Sequence, residues 1–384
     1  MRILALNNEF PPLGGGTATV NLMLFRNFAQ FPDLWVDLVT AAGRPESVKE
    51  QFAERITLYK VPVSVGNPHH ARNMELIHYA WRALGTARRL LAEQRYDLCL
   101  AWSTLPAGAV ALAIHEFQHL PFIVRIGGSD LPGHERRYRL ITFLLKPLIL
   151  RVWSRAKVIV VKCREENDRI RNFNRSTPVV IIPNGVDLKM FCPAEHRVES
   201  GPLRLIIVAR LIAHKGHATL FRAMKILVAE GVDVCLDVVG TGDAEPAYRA
   251  MAARLGLAER VRFLGYLPRE QVADAYRRAD AFVLPSEGEG MSVSTLEAMA
   301  SGLPVVVTRT GGTRELVKEG VTGFTFEVGS ATALARHLRR LAGDRALLRA
   351  MGAAARKHAE NFTWERAAEE YWRLFTSLAG TNRN

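Results

Sequence analysis

Two glutamates, Glu289 and Glu297, stand in the segment Ser286-Glu287-Gly288-Glu289-Gly290-Met291-Ser292-Val293-Ser294-Thr295-Leu296-Glu297, directly after the apolar run 281–284. An apolar run, a glycine-punctuated turn and a helical pattern predict a buried strand, a tight loop and a helix whose first turn carries Glu297. A helix N-terminus leaves N–H groups unpaired and carries partial positive charge, so it favours an anion, and glycine lets that backbone come close. Carboxylates accept hydrogen bonds from hydroxyls. Together these groups suit a ligand that bears both hydroxyls and phosphates. The residues alone leave a second reading open, in which Ser294-Thr295-Leu296-Glu297 is a capping box and Glu289 is a solvated loop acid.

Cations stand nearby in the sequence pattern. Arg210 and Lys215 lie five apart in Arg210-Leu211-Ile212-Ala213-His214-Lys215, after the strand-like run 205–209. Fixed cations in a dry site stabilise the charge that grows on a departing phosphate, whereas solvated loop cations would not. Glycine turns also follow apolar runs at Gly14-Gly15-Gly16-Thr17 and at Val238-Val239-Gly240-Thr241-Gly242. The first is not the dinucleotide fingerprint, because Thr19 occupies the third glycine position and Asp37 lies inside a strand pattern. No D-x-D pair and no histidine or carboxylate cage occurs. Neither a divalent metal nor any other cofactor is expected.

These groups need elements to hold them. Short apolar runs at 2–6, 36–40, 56–60, 98–101, 122–126 and 158–162, then at 205–209, 234–239, 261–264, 281–284, 305–308 and 323–327, alternate with longer helical stretches. Such alternation predicts an α/β fold of two Rossmann-like parallel sheets covered by helices. Ligands of such sheets bind beyond the strand C-terminal ends, and two facing domains make a cleft. The polar, helix-poor stretch 184–202 reads as the linker, which gives domains 1–183 and 203–362.

The chain has 384 residues, 48% of them hydrophobic and 23% charged, enough to bury sizeable cores without staples. Cys99, Cys163, Cys192 and Cys235 stand far apart. They read as reduced thiols of a cytoplasmic protein. Polar Asn7-Asn8-Glu9 follows the first apolar run, so the amino terminus reads as a strand, not a leader, and no apolar run reaches membrane-spanning length. The protein is expected to be soluble, or peripheral at the inner face of a membrane.

Charge is uneven. Residues 1–190 hold 25 Lys/Arg against 16 Asp/Glu, the remainder 26 against 22, so most of the net +13 lies in the first half. Anionic lipid or an anionic acceptor fits this excess. Nucleic acid is not expected, since no arginine-aromatic module or zinc spacing accompanies it. In the segment 136–155, Arg136, Arg137, Arg139, Lys146, Arg151 and Arg155 bracket an apolar centre with Trp153. It reads as a surface-lying amphipathic helix in contact with a membrane, or as a core helix with basic flanks.

The spacing Glu289-x7-Glu297, followed by Ala298-Met299-Ala300-Ser301-Gly302-Leu303-Pro304-Val305-Val306, resembles the signature of glycosyltransferase family 4, and the likeness covers nearly the whole chain. It implies the GT-B fold, with the last helical segment crossing back so that 363–384 join 1–183. It also implies retaining, metal-independent transfer of a hexosyl unit from a nucleoside diphosphate sugar to an acceptor hydroxyl. Family habit makes the acceptor a glycan or lipid-linked glycan, in surface glycan, lipopolysaccharide or exopolysaccharide assembly.

Carried over residue by residue, the resemblance makes Arg210, Lys215 and Glu289 the catalytic set. Glu289 would bond sugar hydroxyls and Glu297 the ribose. Gly290, Met291, Ser292 and Val293 would lie near the sugar and phosphate, and Gly15 and Gly16 against the diphosphate. Gly240 and Gly242 would flank the nucleotide, and Tyr266 and Leu267 would face the base. Many family members have a histidine after the strand matching 122–126, where this chain has Gly127. Ser129 and Asp130 are then the acceptor-side candidates, Asp130 being equally suited to cap a turn. A sugar-nucleotide epimerase or glycan phosphorylase of the same fold, and a non-catalytic glycan- or nucleotide-binding subunit, are the alternatives.

Overall fold

The apolar runs pair into two sheets, each within its own compact unit: residues 1–183 with 364–384, and residues 184–363. The computed structural model describes residues 1–66, 72–127, 144–195 and 201–380. In the first unit the strands are β1 (Arg2–Leu6), β2 (Trp35–Gly43), β3 (Val48–Ala53), β4 (Ile56–Ser64), β5 (Leu98–Trp102), β6 (Phe122–Arg125), β7 (Val158–Val161) and β8 (Val179–Ile181). Their order is β3-β4-β2-β1-β5-β6-β7-β8, parallel except where β3 meets β4. In the second unit β9 (Leu203–Val208), β10 (Val234–Val239), β11 (Val261–Gly265), β12 (Ala281–Leu284), β13 (Val305–Thr308) and β14 (Gly323–Phe326) form an all-parallel sheet. Its order is β11-β10-β9-β12-β13-β14.

That order decides where a ligand can sit. The chain builds outward from β9 through β10 and β11, then returns to the other side of β9 with β12. Loops after β9 and β12 therefore leave in opposite directions and open a crevice at the strand ends. The first sheet has the same reversal between β1 and β5.

All twelve runs read as strands are strands. Two more exist. β3 carries Lys49, Glu50 and Gln51 on an exposed edge, where charge discourages further pairing. β8 is a three-residue edge strand in a run flanked by Pro178 and Pro183.

The last helix, Trp364–Gly380, belongs to the first unit. Trp372 stacks on Phe31 at 5.2 Å, and Phe28 meets Tyr371 and Phe375 at 5.8 Å each. Thr363 bridges Val186 in the second unit, so the crossing falls at Trp364. The linker reading of 184–195 is corrected. Phe191 is fully buried, the Val186 N–H donates to the Phe362 carbonyl at 2.9 Å, and Arg356 donates to the carbonyls of Phe191 and Ala300 at 2.8 Å each. The polar composition hid two apolar anchors.

One buried ion pair sits beside the end of β6. Lys162 Nζ lies 2.8 Å from Glu166 and donates to the Ile126 carbonyl at 2.9 Å, and the Lys162 backbone N–H donates to Glu166 at 2.8 Å. Both side chains are buried. Removing one partner leaves a charge unpaired out of water, which costs about 3–5 kcal/mol, whereas replacing both by apolar groups is often neutral. Lys162→Met should therefore lower the stability of the first unit by about 3 kcal/mol, and adding Glu166→Leu should restore most of it. Urea unfolding of the three proteins checks this; equal losses in single and double variants would remove the pair as the cause.

Candidate active site

The loop after β9 and the loop after β12 are joined by charge. Lys215 Nζ pairs with Glu289 Oε1, and the Ser286 hydroxyl donates to the same oxygen at 2.8 Å. The Glu287 N–H donates to the His214 carbonyl at 2.8 Å, so backbone ties the loops as well. This junction stands at the β9/β12 reversal.

Three glycines make that approach possible, and their role was not read from the sequence. Gly216 has φ +75°, and a Cβ there would overlap the Pro285 carbonyl oxygen. From the far side, a Cβ on Gly311 would overlap the Glu289 carbonyl oxygen. The Gly312 N–H donates to the Gly290 carbonyl at 2.6 Å. Asn184, 107 residues away in sequence, donates through Nδ2 to the Met291 carbonyl at 2.9 Å. The loop 286–292 is thus held on three sides.

The two glutamates differ in charge state. Burial pushes Glu289 up, but the Lys215 charge and hydrogen bond, the Ser286 hydroxyl and the His214 charge outweigh it, so its carboxyl sits below the ordinary value. At neutral pH it is an acceptor. Burial pushes Glu297 up to about 7, against the opposing pull of Arg269, whose Nη2 lies 3.5 Å from Oε1. The capping-box reading does not hold. Ser292, not Ser294, caps the helix Val293–Ala300, its Oγ accepting from the Thr295 N–H at 3.2 Å. Glu297 consequently lies in the second turn, not the first, and its nearest charge is Arg269.

Arg210 is half-buried on the loop that Lys215 shares. Gly240 and Gly242, read as nucleotide contacts, first of all place that loop: a Cβ on either would overlap the carbonyl oxygen of Ala209 or Leu211. The Leu211 N–H donates to the Thr241 carbonyl at 3.0 Å. Tyr266 is exposed after β11, with Leu267 half-buried beside it. His217, stacked on Tyr248 at 4.9 Å, is pushed down to about 4 by burial and by Lys215, so it stays neutral beside the ion pair.

In the first unit the helix Gly16–Phe28 starts at the β1/β5 reversal with Gly15 as its cap and no side-chain capping bond. An added Cβ would meet nothing within 4 Å at Gly15 or Gly16, whereas at Gly14, φ +98°, it would press on Glu9 at 2.9 Å. Asp37 is engaged by Arg2 at 3.2 Å and by Gln94 and Tyr96 at 2.8 Å, so it holds structure together. Gly127 follows the carbonyl that Lys162 grips. Ser129 and Asp130 lie outside the described residues, as do 136–143. For the described rest of that segment the core-helix alternative holds and the membrane-lying one does not: the helix Lys146–Arg155 buries Ile149, Val152 and Trp153, and Trp153 Nε1 donates to Thr104 Oγ1 at 2.9 Å. Its apolar side faces the core. Among the described residues no group of three or more His, Cys, Asp or Glu side chains could hold a metal ion, and no helix is long and apolar enough to cross a membrane.

The chain matches the family model described as Glycosyltransferase Family 4 over residues 14–190 and that described as Glycosyl transferases group 1 over 191–358. A D-inositol 3-phosphate glycosyltransferase of Streptomyces avermitilis is 32% identical over 253 residues, 61% of this chain and 54% of that protein. The chain thus spans about half the length of the curated relatives it matches. A sucrose-phosphate synthase from Thermosynechococcus elongatus superposes with TM-score 0.87 at 22% identity, over 99% of this chain and 100% of that one. Anabaena HepE in complex with UDP-glucose superposes with TM-score 0.74 at 20% identity, over 98% and 100%. The two family models adjoin and together span residues 14–358, and with this fold they show that the chain belongs to glycosyltransferase family 4, built on the GT-B architecture.

Proposed function

We propose that the chain transfers a hexosyl unit from a nucleoside diphosphate sugar to an acceptor hydroxyl, with retention at the anomeric carbon and without a divalent ion. The observation that carries this is the Lys215–Glu289 pair at the β9/β12 reversal, with Arg210 on the same loop. An ionised acceptor for sugar hydroxyls and a cation for the diphosphate stand side by side. As the bond from the anomeric carbon to phosphate breaks, charge builds on the diphosphate oxygens, where Lys215 and Arg210 stabilise it selectively. The acceptor oxygen bonds to the same face, and its proton passes to the departing phosphate oxygen, a route that requires no histidine at Gly127. Glu297 accepts from the ribose hydroxyls. The sugar nucleotide in the HepE complex and the cations here support the donor class; the basic first half supports an anionic, lipid-linked glycan acceptor, as in surface polysaccharide or lipopolysaccharide assembly.

Release of nucleoside diphosphate from a panel of sugar nucleotides, with chelator present and with or without membrane extract, tests the reading. Arg210→Ala and Lys215→Ala should each lower turnover about 100- to 1000-fold. Unchanged turnover and donor binding in both would place the chemistry elsewhere.

Binding should also depend on pH. Hydrogen bonds from hydroxyls favour the carboxylate, so donor affinity should rise as pH passes upward through about 7, with proton release on binding. Calorimetry in buffers of different ionisation enthalpy measures that proton, and Glu297→Gln should abolish it.

Gly16→Ala separates binding from folding. A methyl group at the first helical position finds open space, so the thermal midpoint should stay within a few degrees or rise. If the diphosphate approaches this backbone, donor affinity should nevertheless fall about tenfold or more. Titration with nucleoside diphosphate shows whether it does.

A further inference from the structure

The helix Asn73–Glu93 of the first unit buries Tyr79, Ala83, Ala87 and Leu90. Its opposite side is unusual. Met74, Ile77 and Trp81 are 73%, 61% and 66% exposed, and their spacing of three and four puts them in one stripe. Scattered exposed apolar residues are ordinary, but a stripe that includes tryptophan marks a contact.

Arginines flank that stripe. The Arg82 guanidinium lies 4.7 Å over the Trp81 ring. Arg88, further along the exposed side, lies 5.3 Å over Phe117, which is 69% exposed and carries the apolar face onto the helix Ala109–Gln118. The helix has acids only near its ends. Glu75 accepts from the backbone N–H groups of Arg72 and Gly66, and Glu93 lies 4.0 Å from Arg89. Residues 76–92 include no Asp or Glu.

Apolar side chains with a tryptophan, bordered by guanidinium groups, match the boundary between acyl chains and anionic headgroups. A second copy would bring the same cations to the contact, and like charges repel. We propose that this face docks on an anionic lipid bilayer, with Met74, Ile77 and Trp81 entering the headgroup boundary and Arg82 and Arg88 meeting lipid phosphates. The inference stands on the first unit alone and does not depend on the donor chemistry assigned to the second.

Co-sedimentation of the full chain with vesicles tests it. The wild type should bind phosphatidylcholine vesicles containing phosphatidylglycerol, bind pure phosphatidylcholine weakly, and lose affinity as salt is added. Met74→Ser with Ile77→Ser and Trp81→Ser should weaken binding about tenfold or more. Arg82→Gln with Arg88→Gln should weaken it about fivefold per arginine. These positions are exposed, so thermal midpoints and donor-induced shifts should be unchanged. Absence of wild-type binding to the anionic vesicles overturns the proposal, whatever the variants do. So does equal binding by wild type and both variants, or self-association that is lost in the serine variant without any vesicle binding.

Discussion

A lysine and a glutamate removed from bulk water must compensate each other's lost hydration, and this constraint organises the second unit. Lys215 and Glu289 meet only because β9 and β12 are neighbours in the sheet while their loops diverge. For the loops to come within reach, the chain must abandon side chains at Gly216 and Gly311, where carbonyl oxygens occupy the Cβ positions. Ser286 and the His214 carbonyl then satisfy groups that the approach takes from solvent. Remove the pairing and each of these accommodations loses its reason.

The same constraint separates two carboxylates of identical chemistry. Glu289 has a cation and a hydroxyl at hand and stays ionised, whereas Glu297 lies deeper, with Arg269 at 3.5 Å as its compensation. Burial wins there and lifts the carboxyl toward neutrality. Paired environments that push carboxyl groups apart are a recurrent way to divide roles within one site. His217 completes the division, since a charged imidazole beside Lys215 would compete for Glu289 and burial keeps it neutral.

Much of this was legible in the sequence, for identifiable reasons. The strands announced themselves because parallel sheets covered on both faces need continuous apolar runs. Lys215 and Glu289, which type and spacing brought forward and the family resemblance joined to Arg210 and Glu297, are brought together by the fold. Hidden were the relations that only packing decides. The capping-box reading started the helix at Ser294, but the path of the turn puts Ser292 at the cap. Gly216 and Gly311 are visible as glycines, but not the carbonyls they face. Asn184 reaches Met291 across 107 residues. Tryptophan was the most misleading signal. The dense cations around Trp153 drew attention to it, yet Thr104 offers its indole a partner in the core, while Trp81, among thinner charge, is left outside.

Glycines at the two reversals of strand order divide by what lies beside them. Gly216, Gly240, Gly242 and Gly311 face protein carbonyls at the place a Cβ would need, so the fold itself accounts for their lack of a side chain. Gly15 and Gly16 face open space at a helix start that has no side-chain cap. Packing gives no reason for them, and glycine at a helix start is not required by the helix. Their bare backbone leaves the first N–H groups of the helix open to solvent, donors of the kind that suit an anion. The first unit therefore offers an uncapped helix end, while the second has invested its glycines in fixing charged side chains. Both stand at equivalent reversals of strand order, each within its own sheet.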